Sequence, residues 1–93
     1  MKLPIKYKES HWSVLRQARE QYIDLQGGLC LYCNSPLDKT PRKDINSKRI
    51  NKRLFPKGFF NHPIHLHHCH KTDLTIGAVH AKCNAVLWQY HGE

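Results

Sequence analysis

Two short pairs of metal-ligand residues constrain the fold of this chain more than any other feature. Cys30 and Cys33 are separated by two residues, and so are His80 and Cys83. This spacing brings both side chains of a pair together on one turn, and two such pairs supply the four ligands of a closed tetrahedral zinc site. We therefore expect a structural zinc ion that joins the first half of the chain to its last helix.

The shortness of the chain makes such a cross-link valuable. A domain of 93 residues buries only about 60–65% of the surface that its unfolded chain exposes, and small domains often add a disulfide or a metal. The N-terminal stretch MKLPIKYKESHW has no apolar core of a signal peptide, and we expect no membrane span. We therefore predict one domain, residues 1–93, in the cytoplasm of a bacterial or phage-infected cell, where cysteines favour zinc over disulfides.

The fourth cysteine, Cys69, lies outside both pairs. It could replace His80 as the fourth ligand, but it has no ligand partner at the spacing of a zinc-binding turn. The predicted zinc ligands are Cys30, Cys33, His80 and Cys83, with Cys69 as the alternative to His80.

A basic segment separates the two ligand pairs. The chain carries fifteen Lys and Arg against seven Asp and Glu, a formal net charge of +8. Residues 39–57 contain eight of these basic side chains and one acid, Asp44. Charge at this density repels itself unless a polyanion offsets it. We therefore predict that this loop, about residues 38–59, binds DNA, although a solvated and partly disordered loop is the alternative. The predicted DNA-binding residues are Lys48, Arg49, Lys52 and Arg53.

An amphipathic helix is predicted near the N-terminus, over about residues 10–26. Apolar residues recur there at three- and four-residue steps, which lines one face of a helix and predicts packing on the core. Ser10 can cap the start, and Gly27 and Gly28 can end the helix in a left-handed conformation. Arg16 and Arg19 then fall on the solvent side. The predicted core face comprises Trp12, Leu15, Ala18, Tyr22 and Leu25.

The C-terminal third predicts a β-hairpin followed by a helix, about residues 64–91, which gives the domain an α+β architecture. The first strand carries a crowded run of histidines, HLHHCHKT. Imidazole titrates near neutral pH and is the commonest metal ligand, so this run can supply a general base or bind an ion. Adjacent strand residues point to opposite faces, so His67 and His68 should diverge unless the strand bulges or an ion lies at its edge.

One family matches these features together. The stretch HHCHKTDLTIGAVHAKCN, residues 67–84, resembles the signature DHDHxTGxVRGLLCxxCN of the recombination endonuclease VII group within the HNH, or ββα-metal (His-Me finger), nucleases. The upstream stretch QGGLCLYCNSPL is similar to the first zinc-binding turn of that group. The resemblance covers about residues 22–37 and 64–88. Positions that match outright are His68, His70, Thr72, Gly77, Cys83 and Asn84.

The resemblance implies an α+β domain that is held together by a structural zinc ion and that cuts DNA with a ββα-metal catalytic core. His67 and Asn84 would ligate one catalytic divalent ion, His68 would be the general base, and His70 would support it. Because His67 replaces a signature Asp, we expect cleavage to be weak in Mg²⁺ and stronger in Mn²⁺, Co²⁺ or Ni²⁺. One active site would nick a single strand, so cutting both strands would require a homodimer.

Other positions depart from the signature. Cys69 replaces a second Asp, Asp73 and Ile76 replace Gly and Arg, and Leu87 stands where some members carry an acid. Two further residues share the helix face of Asn84: we predict Trp88 in the core, and His91 either on the surface or against DNA.

Two other functions fit part of the pattern. A non-catalytic zinc module that only binds nucleic acid would explain the two ligand pairs and the charge, but not His67, His68 and Asn84 together. A histidine-rich metal carrier would explain neither the basic segment nor Asn84. The sequence therefore favours the endonuclease, with the binding module as the alternative.

Overall fold

A computed structural model describes residues 1–92 and shows the α+β architecture that the sequence predicts. A hairpin of two antiparallel strands lies between an N-terminal and a C-terminal helix, with short helical turns before the hairpin. None of the described helices is long and apolar enough to cross a bilayer. In chain order, the elements are α1 (Trp12–Leu25), α2 (Lys43–Asn46), two 3₁₀ turns (Lys52–Leu54 and Phe59–Asn61), β1 (Ile64–His68), β2 (Thr75–His80) and α3 (Ala81–His91).

The N-cap of helix α1 lies one residue later than predicted. His11, not Ser10, caps the helix, because the Nδ1 of His11 accepts a hydrogen bond from the Ser13 backbone N–H at 3.2 Å. The Ser10 hydroxyl instead donates to the Lys6 carbonyl at 2.6 Å. At the other end, Gly27 and Gly28 adopt the predicted left-handed conformation, with φ of +64° and +77°. A tight exit of this kind suits glycine because it lacks a Cβ.

The predicted core face of α1 is buried only in its middle. Ala18 is fully buried, and the Tyr22 hydroxyl lies 2.9 Å from the Thr75 hydroxyl on β2. Trp12 and Leu25, in contrast, are 67% and 71% exposed. The prediction of core packing is therefore wrong for these two end residues, because the sheet has only two strands and covers only part of the helix.

The hairpin contains a bulge at the histidine run. His67 pairs with Gly77 whereas His68 pairs with Thr75, so Ile76 is an extra residue on β2. The extra residue lies on β2 and not on the histidine strand, so β1 keeps the alternation that directs His67 and His68 to opposite faces. The connecting turn includes Asp73 at φ +62°, a left-handed conformation that Asp tolerates better than most residues.

The far edge of β2 is covered by the N-terminal half of the chain. Thr75 exchanges hydrogen bonds with Ile5, and the Gln26 side chain bonds both the N–H and the carbonyl of Ala78, at 2.8 and 2.9 Å. A Cβ on Gly77 would lie 2.6 Å from Leu31 and 2.7 Å from Gln26, so this close approach requires glycine. The strand is therefore held on both sides.

The basic segment is more structured than the predicted loop. It contains α2 and two 3₁₀ turns, and Ile45 is buried in the core at 2% exposure. The Gln89 side chain on α3 accepts from the Asn51 backbone N–H at 2.9 Å and donates to the Arg49 carbonyl at 3.2 Å. Ile45 and these backbone contacts join part of the segment to the rest of the domain.

The core forms where the hairpin, α3 and the cysteine turns meet. Its largest fully buried side chains are Ile45, Val79 and Val86, together with three cysteines. Trp88, predicted as core, is 40% exposed and packs edge-on against Phe55 with ring centroids 5.5 Å apart. That prediction is wrong, because the aromatic cluster around Phe55 lies at the surface instead of in the core.

Candidate functional site

The four predicted zinc ligands cluster in the core. The ligand atoms of Cys30, Cys33, His80 and Cys83 all lie within 4.8 Å of one another, and all four residues are buried. Sulfur ligands on a tetrahedral zinc, each about 2.3 Å from the ion, lie about 3.8 Å apart, so the cluster has the size of such a site. Cys69 is not part of it, and this excludes the alternative fourth ligand.

The local backbone of each ligand pair orients its side chains. In the first pair, the Cys30 N–H donates to the Ser35 carbonyl and the Asn34 N–H to the Cys30 carbonyl, at 2.9 and 3.0 Å, which closes a tight turn. In the second pair, His80 is the N-cap residue of α3 and Cys83 lies in its first turn. The two pairs come from different parts of the fold, so an ion on them would join those parts.

The tautomer of His80 suits metal binding. Its Nε2 donates to the Pro36 carbonyl at 2.9 Å, which leaves the Nδ1 lone pair directed at the sulfurs of Cys33 and Cys83, each 3.5 Å away. A hydrogen bond that fixes the outer ring nitrogen is typical of ligating histidines. The pKa of the Cys30 thiol is lowered, mainly by the hydrogen bond from Cys83, and the thiolate is the form that binds metal.

A second group of polar side chains joins the histidine strand to α3. The Nδ1 of His67 donates to the Oδ1 of Asn84 at 3.2 Å, and the Nδ2 of Asn84 donates to the Nδ1 of His65, also at 3.2 Å. The Nε2 of His65 in turn donates to the Phe59 carbonyl at 2.8 Å. This chain of hydrogen bonds fixes the Asn84 amide with its oxygen toward His67, which is only 6% exposed.

The His67–Asn84 pair fits two ligands of one cation. Adjacent ligands of an octahedral ion with bonds of about 2.1 Å lie about 3.0 Å apart, close to the 3.2 Å between Nδ1 and Oδ1. Among residues 1–92, the cluster of Cys30, Cys33, His80 and Cys83 is the only place where three or more His, Cys, Asp or Glu ligands come together. A cation on His67 and Asn84 would therefore take its other ligands from water or from a bound phosphate.

His68 leaves the strand on a different side from His67. Its ring stacks on Tyr7, with centroids 3.9 Å apart and planes only 8° from parallel, and lies 4.9 Å from the ring of His70. Burial, followed by the charge of His70, lowers the pKa of His68. An imidazole held in this way is neutral at physiological pH and can accept a proton.

A cavity of about 680 Å³ lies beside the histidine strand and α3. His68, His70 and Asn84 line it together with His65, although His67 does not. A smaller cavity, of about 350 Å³, also borders the histidine run. It is lined by His67, His68 and His70 together with Cys69 and His91, so His91 lies near the histidine run.

The walls of the larger cavity carry cations that the sequence did not assign to the site. Arg16 and Arg19 line it from α1, and Lys57 lines it from the end of the basic segment. The sequence placed Arg16 and Arg19 simply in solvent. The signal that could have found them is the spacing Trp12, Arg16, Arg19, which places three side chains on one helix face.

The four predicted DNA-binding residues lie elsewhere. The Lys48 ammonium lies 5.0 Å from the ring centroid of Tyr90 on α3, and the Lys52 ammonium lies 6.0 Å from that of Phe60. Arg49 and Arg53 are exposed. None of the four lines the larger cavity, so they form a separate basic surface beside the C-terminal helix.

The chain matches no protein-family model, no curated protein and no solved structure.

Proposed function

We propose that this protein is a metal-dependent DNA endonuclease, with a ββα-metal core formed by β1, β2 and α3. The observation that carries the proposal is the pairing of His67 Nδ1 with Asn84 Oδ1 at 3.2 Å, beside a histidine that lines a cavity walled by cations. Phosphodiester hydrolysis needs an activated water, a cation on the phosphoryl oxygens and a basic dock for the backbone. Each of these has candidate residues here.

His67 and Asn84 would hold the catalytic divalent ion. When bound, such an ion neutralises charge on the phosphate and on the leaving oxygen. His67 would turn its Nδ1 lone pair to the ion and carry its proton on Nε2. Asn84 would present its oxygen, because His65 holds the amide nitrogen on the other side.

His68 would act as the general base. It lines the cavity with Asn84, its ring is held by stacking on Tyr7, and its lowered pKa keeps it able to take a proton from water. His70 lies against His68 and lines the same cavity, which gives it a supporting role near the phosphate.

The cluster of Cys30, Cys33, His80 and Cys83 would hold a structural zinc ion. Three thiolates and one imidazole make a closed site with no position left for water. Such an ion would fix the start of α3, and with it Asn84, relative to the first cysteine turn. The zinc would thus support the catalytic residues without taking part in the reaction.

A cleavage panel tests the proposal. Purified protein whose zinc content has been measured is mixed with supercoiled, linear, branched and single-stranded DNA, with Mg²⁺, Mn²⁺, Co²⁺, Ni²⁺ or no added divalent ion. We expect cleavage of at least one DNA form that depends on the added ion. Tight DNA binding with no cleavage under any of these ions would overturn the endonuclease and favour the zinc-containing binding module.

A further inference from the structure

The outer face of α1 carries an unusual combination of side chains. Trp12 is 67% exposed, and it shares a helix face with Arg16 and Arg19, all three lining the cavity that His68 and Asn84 also line. An exposed aromatic ring beside cations is the combination by which proteins bind single-stranded nucleic acid. Trp12 and Arg16 are exposed, and Arg19 is half-buried.

The chemistry of this face fits a nucleic-acid strand. Proteins that bind single strands combine a positive groove, which follows the phosphates, with exposed aromatic rings on which bases stack. Arg16 and Arg19 on one wall and Lys57 on the other supply the charge. The only ion pair of Arg16 among the described residues is with Glu20 at 3.5 Å, with both side chains more than 60% exposed, and such a pair yields easily to a phosphate.

The cavity has room for part of one strand. Its volume is about 680 Å³, in the range of sites for single small molecules, about 300–1,000 Å³. His68 and Asn84 both line this cavity, so a strand bound in it would lie against the proposed catalytic residues.

We infer that the cavity binds one strand of DNA, with its phosphates on Arg16, Arg19 and Lys57 and one unstacked base on the indole of Trp12. This inference rests on the proposed function, since it names how the substrate of that site is held. It assigns α1 a role in binding substrate as well as in covering the sheet.

Salt-dependent binding tests the arginine contacts. Binding of a single-stranded oligothymidine is measured without added divalent ion, over a range of salt, for wild type and for Arg16→Gln/Arg19→Gln. Loss of two contacts to a single strand should lower the slope of log K against log salt by about 1.4. The matched control, Lys2→Gln/Lys8→Gln, removes the same charge from exposed positions outside the cavity and outside the basic segment and should leave the slope near that of wild type. Equal losses in both variants would overturn the inference.

Trp12 is tested by fluorescence and by affinity. In a Trp88→Phe background, Trp12 is the only tryptophan of the chain, and the oligothymidine should quench it at saturation. Trp12→Ala should weaken binding about 5- to 150-fold, the effect of losing one base–aromatic stack. Because Trp12 is exposed, this variant should fold normally, which a thermal melt checks. Absence of quenching together with unchanged affinity would overturn the stacking.

The outcomes separate this inference from the proposed function. If wild type cuts DNA while all three α1 substitutions bind like wild type, the endonuclease stands and the role of α1 is wrong. If the strand binds through these residues and no DNA is cut under any ion, the role of α1 stands and the endonuclease is wrong.

Discussion

The side-chain oxygen of Asn84 lies 3.2 Å from the Nδ1 of His67, although the two residues are 17 positions apart and belong to different elements. His65, two residues before His67, bonds the nitrogen of the same amide. Two histidines of β1 therefore bond the oxygen and the nitrogen of one side-chain amide on α3. This relationship fixes the direction of the amide oxygen in the candidate site.

Removing a zinc ligand should unfold the domain. Purified wild type should contain one zinc per chain, and Cys30→Ser should lose it, because metal binding and folding are coupled in small zinc domains. Elemental analysis and thermal melting measure both effects. Cys69→Ser is the matched control, since Cys69 lies outside the cluster, and it should keep the metal and the melting temperature. A Cys30→Ser variant that retains full zinc content and stability would contradict the structural site.

His68→Ala should abolish cleavage and leave DNA affinity nearly intact. A general base contributes about 10²–10⁴-fold to the rate and little to ground-state binding. Single-turnover cleavage and a separate binding titration measure the two effects. His62→Ala removes an exposed histidine from the same cavity and should keep most of the activity. Cleavage by His68→Ala at the wild-type rate would rule out His68 as the base.

His67→Asp should change the preferred metal. Imidazole favours Mn²⁺, Co²⁺ or Ni²⁺ over Mg²⁺, whereas a carboxylate offers the hard oxygen that Mg²⁺ prefers. We therefore expect wild type to cut slowly in Mg²⁺ and faster in the other ions, and the variant to shift toward Mg²⁺. Initial nicking rates across the ions measure this ranking. A ranking that is the same in both proteins, with Mg²⁺ preferred, would mean that His67 does not bind the ion.

His65→Leu should weaken binding of the catalytic ion, although it removes neither of the two proposed ligands. The substitution frees the Asn84 nitrogen and the Phe59 carbonyl, so the amide oxygen loses its fixed direction. We expect a higher concentration of divalent ion for half-maximal cleavage, with a smaller effect on the maximal rate. A metal titration of the cleavage rate measures both quantities. His62→Leu is the control, and an equal rise in that variant would point to a general effect of losing a cavity histidine.

Neutralising the basic surface beside α3 should weaken duplex binding and flatten its salt dependence. The variant carries Gln in place of Lys48, Arg49, Lys52 and Arg53. Each lost contact should lower the slope of log K against log salt by about 0.9 on a duplex. A control with Gln at Lys2, Lys6, Lys8 and Lys82 changes the net charge equally from positions outside the basic segment. If both variants lose the same slope, the basic surface acts only through total charge.

Local rules were sufficient wherever the feature is local. The two ligand pairs follow from two-residue spacings, and the four residues do cluster in the fold. The helix period predicted α1, and the two glycines end it as expected. These predictions succeed because each depends on the geometry of a few consecutive residues, which neighbouring elements change little.

Features that depend on how elements meet were decided only by the tertiary structure. The sequence left open whether the histidine strand bulges at His67. Only the pairing of the two strands shows that the extra residue lies on β2. Trp12 and Leu25 have the period of core residues, but the narrow sheet does not reach them. The residues around the larger cavity come from α1, the basic segment, β1 and α3, which are far apart in the chain. Spacing determines which residues share a face, whereas packing determines what that face meets.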